Sequence, residues 1–334
     1  MKRIGILTAS GHTPALNTTI HGTVVHVNKL QSVSLPETFI AARDGSTMRL
    51  IPAGEFTMGS TQKDIESARR LDRDGSHFAL PHERFALAHE TPQFNLFMPA
   101  FYIGVFTVTN EQFARFLSEA SPDVAVFGPW VGAFTRICKP HREGEPWRVE
   151  PGFERHPVVH VSWLGASAYC RWAGLRLPTE VEWEKAARGT DARLFPWGNE
   201  WNDDFLCWRR GSRGANEPTI PVNAHPEGRS SYGIFQMAGN VTEWCEDWYQ
   251  PRAYDDHAMD NRHPPHSGDE WVLRGGTCLQ QHKLEFRCAM RQASPAVALT
   301  VDFTGFRCAC DVPRDADLSA EHFLNAKTSE NALT

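Results

Sequence analysis

The side chains of this chain that could do chemistry fall into a few clusters. Of its 15 histidines, His77, His82 and His89 share one polar stretch, and His257, His263 and His266 share another; His282 stands apart. Borderline imidazole donors of this kind could assemble a non-haem iron or copper site, whereas runs such as HERF and HPPH in polar loops are more often solvated surface. Eight cysteines in 334 residues are too sparse for a disulfide scaffold, and no pair has the CxxC spacing of a zinc site. Cys308 and Cys310 alternate, so on a strand they face opposite sides. Arg274, Arg287, Arg291 and Arg307 crowd the C-terminal third. A guanidinium there either pairs with a buried carboxylate or, as Arg287 or Arg291 facing a cleft, grips a ligand carboxylate bidentately.

The elements that must hold these groups are short. Met48 to Ser60 alternates apolar and polar residues and breaks at Gly54 and Gly59, which is strand and turn chemistry. Residues 61–92 form a polar, charged insertion. Phe101 to Val108 reads as a strand, and Thr109 with Gln112 makes a capping box ahead of Phe113, Phe116 and Leu117. Ser162 caps a second helix that Gly174 ends. Thr179 with Glu182 caps a third, closed at Gly189. Short strands between turns follow, residues 251–269 are a polar loop, and residues 314–334 read as a flexible tail. The class expected is α+β with little regular secondary structure, held by 11 tryptophans rather than by long helices.

Composition excludes several functions. Hydrophobic residues make up 41% and charged residues 22%, the usage of a globular chain. The net charge of −6 is not the basic footprint of a nucleic-acid binder. No apolar run is long enough for a membrane span, and the run at Ile4 to Thr8 is too short for a signal-peptide core. A cytoplasmic location is expected. Residues 1–45 read as a strand-loop-helix appendage, followed by one domain over 46–313. Within the appendage, Arg3 to Val24 resembles the opening strand and phosphate loop of phosphofructokinases, with Ser10-Gly11-His12 where that family has Gly-Gly-Asp. Nothing downstream continues that family.

Between about Met48 and Asp311 seven phrases stand in one family's order: IPAGEFTMGS, FYIGVFTVTNEQFARFL, HPVVHVSWLGASAYCRWAGLRLPTEVEWEKAARG, FPWGNEW, GIFQMAGNVTEWCEDWY, VLRGGTC and FTGFRC. The chain resembles the formylglycine-generating enzyme, or sulfatase-modifying factor, superfamily. Ergothioneine-pathway sulfoxide synthases and a pyoverdine-maturation protein also belong to it. The resemblance implies a variant of the C-type lectin fold, a Trp183 that packs inward, packed His156 and His160, and a buried ion pair for Arg307.

Formylglycine-generating enzymes oxidise a substrate cysteine with oxygen, using copper on two cysteine thiolates, and soft thiolates suit Cu(I). Counted from Gly275-Gly276-Thr277, the first thiolate position is Gln280 and the second falls at or near Glu285. Cys278 lies two residues too early, and a lone strand cysteine is more often a small buried hydrophobe. The resemblance also places Cys170 and Cys308 where secreted relatives have a disulfide, and Cys288 opposite Ala187 as half of another. The family's calcium would meet Gln236, Gly239, Val241 and Glu243, an oxygen set that suits that ion; the bland reading is that Glu243 accepts turn hydrogen bonds. The reading that follows is an oxygen-dependent non-haem iron or copper oxidoreductase acting on a thiol or peptide substrate, with Cys278, Gln280, His282 and Arg291 lining its cleft. The alternatives are a non-catalytic lectin-like module, or a substrate-binding half completed by a separate helical metal-binding protein.

Overall fold

The polar insertion contains a helix. In the computed structural model, α1 (Gln62–Leu71) starts where Thr61 and Asp64 exchange hydrogen bonds, Asp64 Oδ2 accepting from the Thr61 amide at 2.8 Å and Thr61 Oγ1 from the Asp64 amide at 3.1 Å. Its charged surface hides a narrow apolar stripe: Ile65 and Ala68 are buried with Leu87, Leu284 and Met290. The structure describes residues 35–71, 87–120, 130–132, 135–142, 144–208, 219–257, 267–297 and 303–312. The phosphofructokinase-like opening, His77, His82, His263, His266 and the tail from 314 lie outside them.

The caps read from the sequence are present. In α2 (Asn110–Glu119) Thr109 Oγ1 accepts from the Gln112 amide at 3.2 Å and Gln112 Oε1 from the Thr109 amide at 2.9 Å. Ser162 Oγ accepts from the Gly165 amide to open α3 (Trp163–Ala173), which ends at Gly174 with φ 74°. Thr179 and Glu182 close the same reciprocal box on α4 (Glu180–Arg188). A one-turn helix, α5 (Ala253–His257), interrupts the polar loop.

The first sheet holds, in spatial order, β1 (Thr38–Ile40), β2 (Thr47–Ile51), β5 (Phe101–Gly104) and β12 (Ala309–Asp311), all antiparallel. β1 falls inside the stretch assigned from sequence to the appendage. It pairs with β2, Phe39 packs edge-on to Tyr102 at 4.8 Å, and the Tyr102 hydroxyl donates to Pro36 O. The sheet therefore begins before residue 46. The pair β3 (Gly54–Met58) and β4 (Phe94–Met98) is inserted in sequence between β2 and β5, and the short pair β6 (Ile137–Cys138) and β7 (Arg148–Val149) between β5 and β12. The second sheet runs β10 (Gln292–Ser294), β9 (Trp271–Arg274), β8 (Thr242–Trp248), β11 (Thr304–Gly305), with β11 parallel to β8.

Two buried clusters tie the sheets to the helices. One gathers Phe113 and Phe116 of α2, Tyr169 of α3 and Phe306. The other surrounds Trp183 of α4 with Ile51, Ile103, Ile234 and Val272. Aromatic rings fill volume that short elements alone would leave as voids. No described helix is long and apolar enough to cross a membrane.

Candidate functional site

After β9 the chain bends through Gly275 and Gly276, with φ of 97° and 77°. A Cβ on Gly276 would stand 2.5 Å from Gln280 Oε1 and 3.1 Å from Glu285 O, so only glycine lets the following loop fold back this closely. That loop carries the positions of the family's thiolate pair. Gln280 Oε1 accepts from the Thr277 amide at 2.7 Å, and Glu285 Oε2 from the His282 amide at 3.1 Å. Both side chains therefore brace the loop from within, and neither offers a soft donor for Cu(I).

The four residues expected to line one cleft do not share it. Gln280 and His282 are partly exposed on the loop. Cys278 is fully buried beneath it, its amide donating to Asn240 O at 3.0 Å. Arg291 is buried elsewhere, where it forms a bidentate pair with the chain's own Glu180 at 2.7 and 2.9 Å. The expectation that Arg291 faces a cleft is thus corrected: its cation is neutralised internally. Aromatic side chains form a wall beside the loop instead. Lys283 Nζ lies 5.6 Å over the Trp201 ring, Trp201 meets Trp208 at 4.8 Å, and Phe286 touches both rings at about 6 Å. Trp201 and Trp208 are half-buried.

Below this surface lies a buried charge network that the sequence reading missed. Arg274, fully buried, binds Glu180 at 2.9 Å and Glu184 at 2.5 Å, and Arg188 approaches Glu184 at 3.3 Å. Arg287 pairs with Glu90 at 2.6 Å. Arg291 also lies over Tyr249 and Tyr254, at 4.8 and 4.4 Å. Asp247 Oδ2 accepts from the Glu180 amide at 2.6 Å, and burial together with the neighbouring Glu180 charge pushes its carboxyl up to about 7. A signal was available: Glu180 and Glu184 stand four apart, on one face of a helix that also carries Trp183, Ala186 and Ala187.

The calcium set does not fit the ion. Glu243 Oε2 accepts from Arg307 Nε at 2.6 Å and from Trp183 Nε1 at 2.9 Å, and Oε1 from Arg307 Nη2 at 2.7 Å. Gln236 Oε1 accepts from Asn240 Nδ2 at 2.7 Å, and Gly239 O from the Val241 amide at 2.9 Å. A guanidinium already neutralises the carboxylate that would have carried most of the ion's charge, so the calcium assignment to Gln236, Gly239, Val241 and Glu243 is withdrawn. The other metal candidates fare similarly. His89 Nδ1 bonds the Tyr249 hydroxyl at 2.7 Å; burial, then the Arg291 charge, lowers its pKa. Among the described residues no three His, Cys, Asp or Glu side chains are grouped to hold a metal. Cys170 and Cys308 lie with sulfurs 3.6 Å apart as thiols, and burial raises the Cys308 pKa well above its ordinary value. Cys288 and Ala187 share one core cluster.

Comparison with known proteins agrees with the fold and the motif order. Residues 35–312 match the sulfatase-modifying factor enzyme 1-like domain. The serine/threonine-protein kinase Pkn1 of Chlamydia trachomatis is 38% identical over 228 residues, 67% of this chain and 35% of that protein. The chain thus spans about a third of the length of the chlamydial kinases it matches. The formylglycine-generating enzyme of Streptomyces coelicolor is 34% identical, across 84% of this chain and 93% of the enzyme. A mouse protein described as the inactive C-alpha-formylglycine-generating enzyme 2 is 29% identical, across 84% and 91%. The structure of PvdO from Pseudomonas aeruginosa superposes with a TM-score of 0.60 at 22% identity, over 84% of this chain and all of PvdO. The chain belongs to the sulfatase-modifying factor enzyme 1-like family.

Proposed function

We propose that this member of the family is a peptide-binding module that keeps the fold of formylglycine-generating enzymes without their cysteine oxidation. The observation that carries the reading is the loop Thr277–Glu285. Its two thiolate positions hold Gln280 and Glu285, and both side chains bond backbone amides of the same loop. The ligand is an extended peptide, laid along the half-buried Trp201 and Trp208 beside Lys283. Large aromatic faces bind at little cost in side-chain entropy, and a cation beside them favours acidic or aromatic ligand residues. The mouse relative described as inactive supports a family member without turnover.

The test is pull-down from a random library of cysteine-containing peptides, followed by titration of the best binder. Trp201→Ala should weaken that binder about tenfold or more, the scale of an aromatic anchor. Failure of the library to yield any peptide sensitive to Trp201 would end this reading. A second reading has its own support, the 34% identity that extends across 93% of the Streptomyces enzyme. On that reading the chain is an oxygen-dependent oxidoreductase acting on a thiol or peptide, its iron or copper site completed by a separate helical protein. Oxygen consumption on adding peptide would mark it.

A further inference from the structure

A cavity of about 360 Å³ opens between the turn Asp44–Thr47, the segment Phe106–Thr109, the first turn of α2, and Arg155 with Val222. It shares no residue with the loop Thr277–Glu285. Its inner wall is built and fixed. Asp44 Oδ1 accepts from the Ser46 amide at 3.0 Å, and Oδ2 from Ser46 Oγ at 2.6 Å and the Tyr169 hydroxyl at 2.8 Å. Gln112 Nε2 donates to Asp44 O and Ser46 Oγ at 3.2 and 3.1 Å. The amides that open α2 are also satisfied: Asn110 N donates to His156 O and Glu111 N to Glu154 O, so the helix end is not waiting for an anion.

Three groups lining the cavity are left over. Thr107 is 3% exposed, and its Oγ1 has no hydrogen-bond partner. Buried hydroxyls are paired in the great majority of cases, so this one calls for an explanation. Arg155 and Glu111 are exposed and of opposite charge, and neither forms an ion pair among the described residues. A half-buried aromatic ring, Phe106, tilted against Phe235 with centroids 4.9 Å apart, adds an apolar face. With the Asp44 carboxylate already engaged by Ser46 and Tyr169, the Arg155 cation, the Glu111 carboxylate and the buried Thr107 hydroxyl around one cavity match a ligand that carries both charges.

We propose that this cavity binds a small zwitterion of the α-amino-acid class, its carboxylate on Arg155, its ammonium on Glu111 and a hydrogen bond to Thr107 Oγ1. Arg offers the planar fork that a carboxylate fits, and Glu111 accepts from the ammonium. Binding gives the Thr107 hydroxyl the partner it lacks. The proposal is independent of the peptide-binding reading, because it uses none of the residues of that surface.

The probe is an equimolar pool of the proteinogenic L-amino acids, followed in ligand-observed NMR with the full chain, and then titration of the amino acid that responds. Its N-acetyl and C-amide derivatives should each bind about tenfold or more weakly, the scale of a lost ionic contact. Arg155→Met and Glu111→Gln should abolish the response. Thr107→Val is the discriminating variant: it should raise the melting temperature, since an unpartnered buried hydroxyl is removed, while weakening the amino acid several-fold. No response from the pool, equal binding of the blocked derivatives, or a response indifferent to all three variants would overturn the assignment, as would a response to glucose alone.

Discussion

Arg307→Met is expected to lower the unfolding free energy by about 3–5 kcal/mol, the range for removing one partner of a buried ion pair. The guanidinium is fully buried, and it bonds Glu243 twice while also donating to Gly104 O and Phe235 O, both at 2.9 Å. Methionine fills much of the volume but leaves the Glu243 carboxylate buried with only Trp183 Nε1 as donor. The urea midpoint reports the loss, with an unchanged slope showing that the unfolded reference is the same. Arg307→Met combined with Glu243→Gln should be milder than the two single losses added, since the uncompensated charge is gone. Because Arg307 already neutralises the Glu243 carboxylate, millimolar calcium should leave the wild-type midpoint unmoved. A loss under about 1 kcal/mol, the size of a surface pair, or a calcium-dependent midpoint would refute this account of the Glu243 site.

The second large effect is a pH dependence set by Asp247. Its folded pKa is raised from 3.8 to about 7, first by burial and then by the charge of Glu180, with Glu246 and Glu182 adding to it. Below about pH 4 both folded and unfolded chains hold the proton, and the group takes nothing from stability. Between there and pH 7 the unfolded chain ionises while the folded one does not, so stability falls as pH rises. The upper bound is about 4 kcal/mol, from 1.36 kcal/mol per unit of displacement. Asp247→Asn keeps an oxygen for the Glu180 amide and removes the proton. It should be close to neutral at pH 4 and stabilising by about 2 kcal/mol or more at pH 8, part of the bound being lost to local relaxation. Urea titrations of both chains at the two pH values give the difference, and parallel curves would show that Asp247 does not titrate as described.

Much of the fold was legible because its signals are local. Thr109, Ser162 and Thr179 each announce a helix start within a few residues, and Gly174 and Gly189 announce the ends. α1 was hidden because only Ile65 and Ala68 of its ten residues are fully buried, with Leu71 partly so, too thin a stripe to stand out in a charged run. β1 was assigned to the wrong side of a boundary because three residues carry no periodicity of their own, and only pairing with β2 defines them. The site divides the same way. That Gln280 and Glu285 cannot supply thiolates follows from residue type alone. What Arg291, Arg274 and Arg287 bind depends on partners at separations of 90 to 197 residues, which spacing along the chain does not encode. Arg307 was expected to pair, but its partner proved to be the very carboxylate assigned to calcium. A motif match transfers positions, and the charges already present at those positions decide whether the chemistry transfers with them.

The most direct test is mass spectrometry of a bound cysteine peptide after aerobic incubation with the protein and Cu(I), run beside an oxygen electrode. The account predicts that the peptide is recovered at its original mass, with no oxygen consumed beyond the copper control. Conversion of the cysteine to an aldehyde with loss of its sulfur, at a rate that depends on the protein, would contradict it and would assign this chain to the oxidising members of its family.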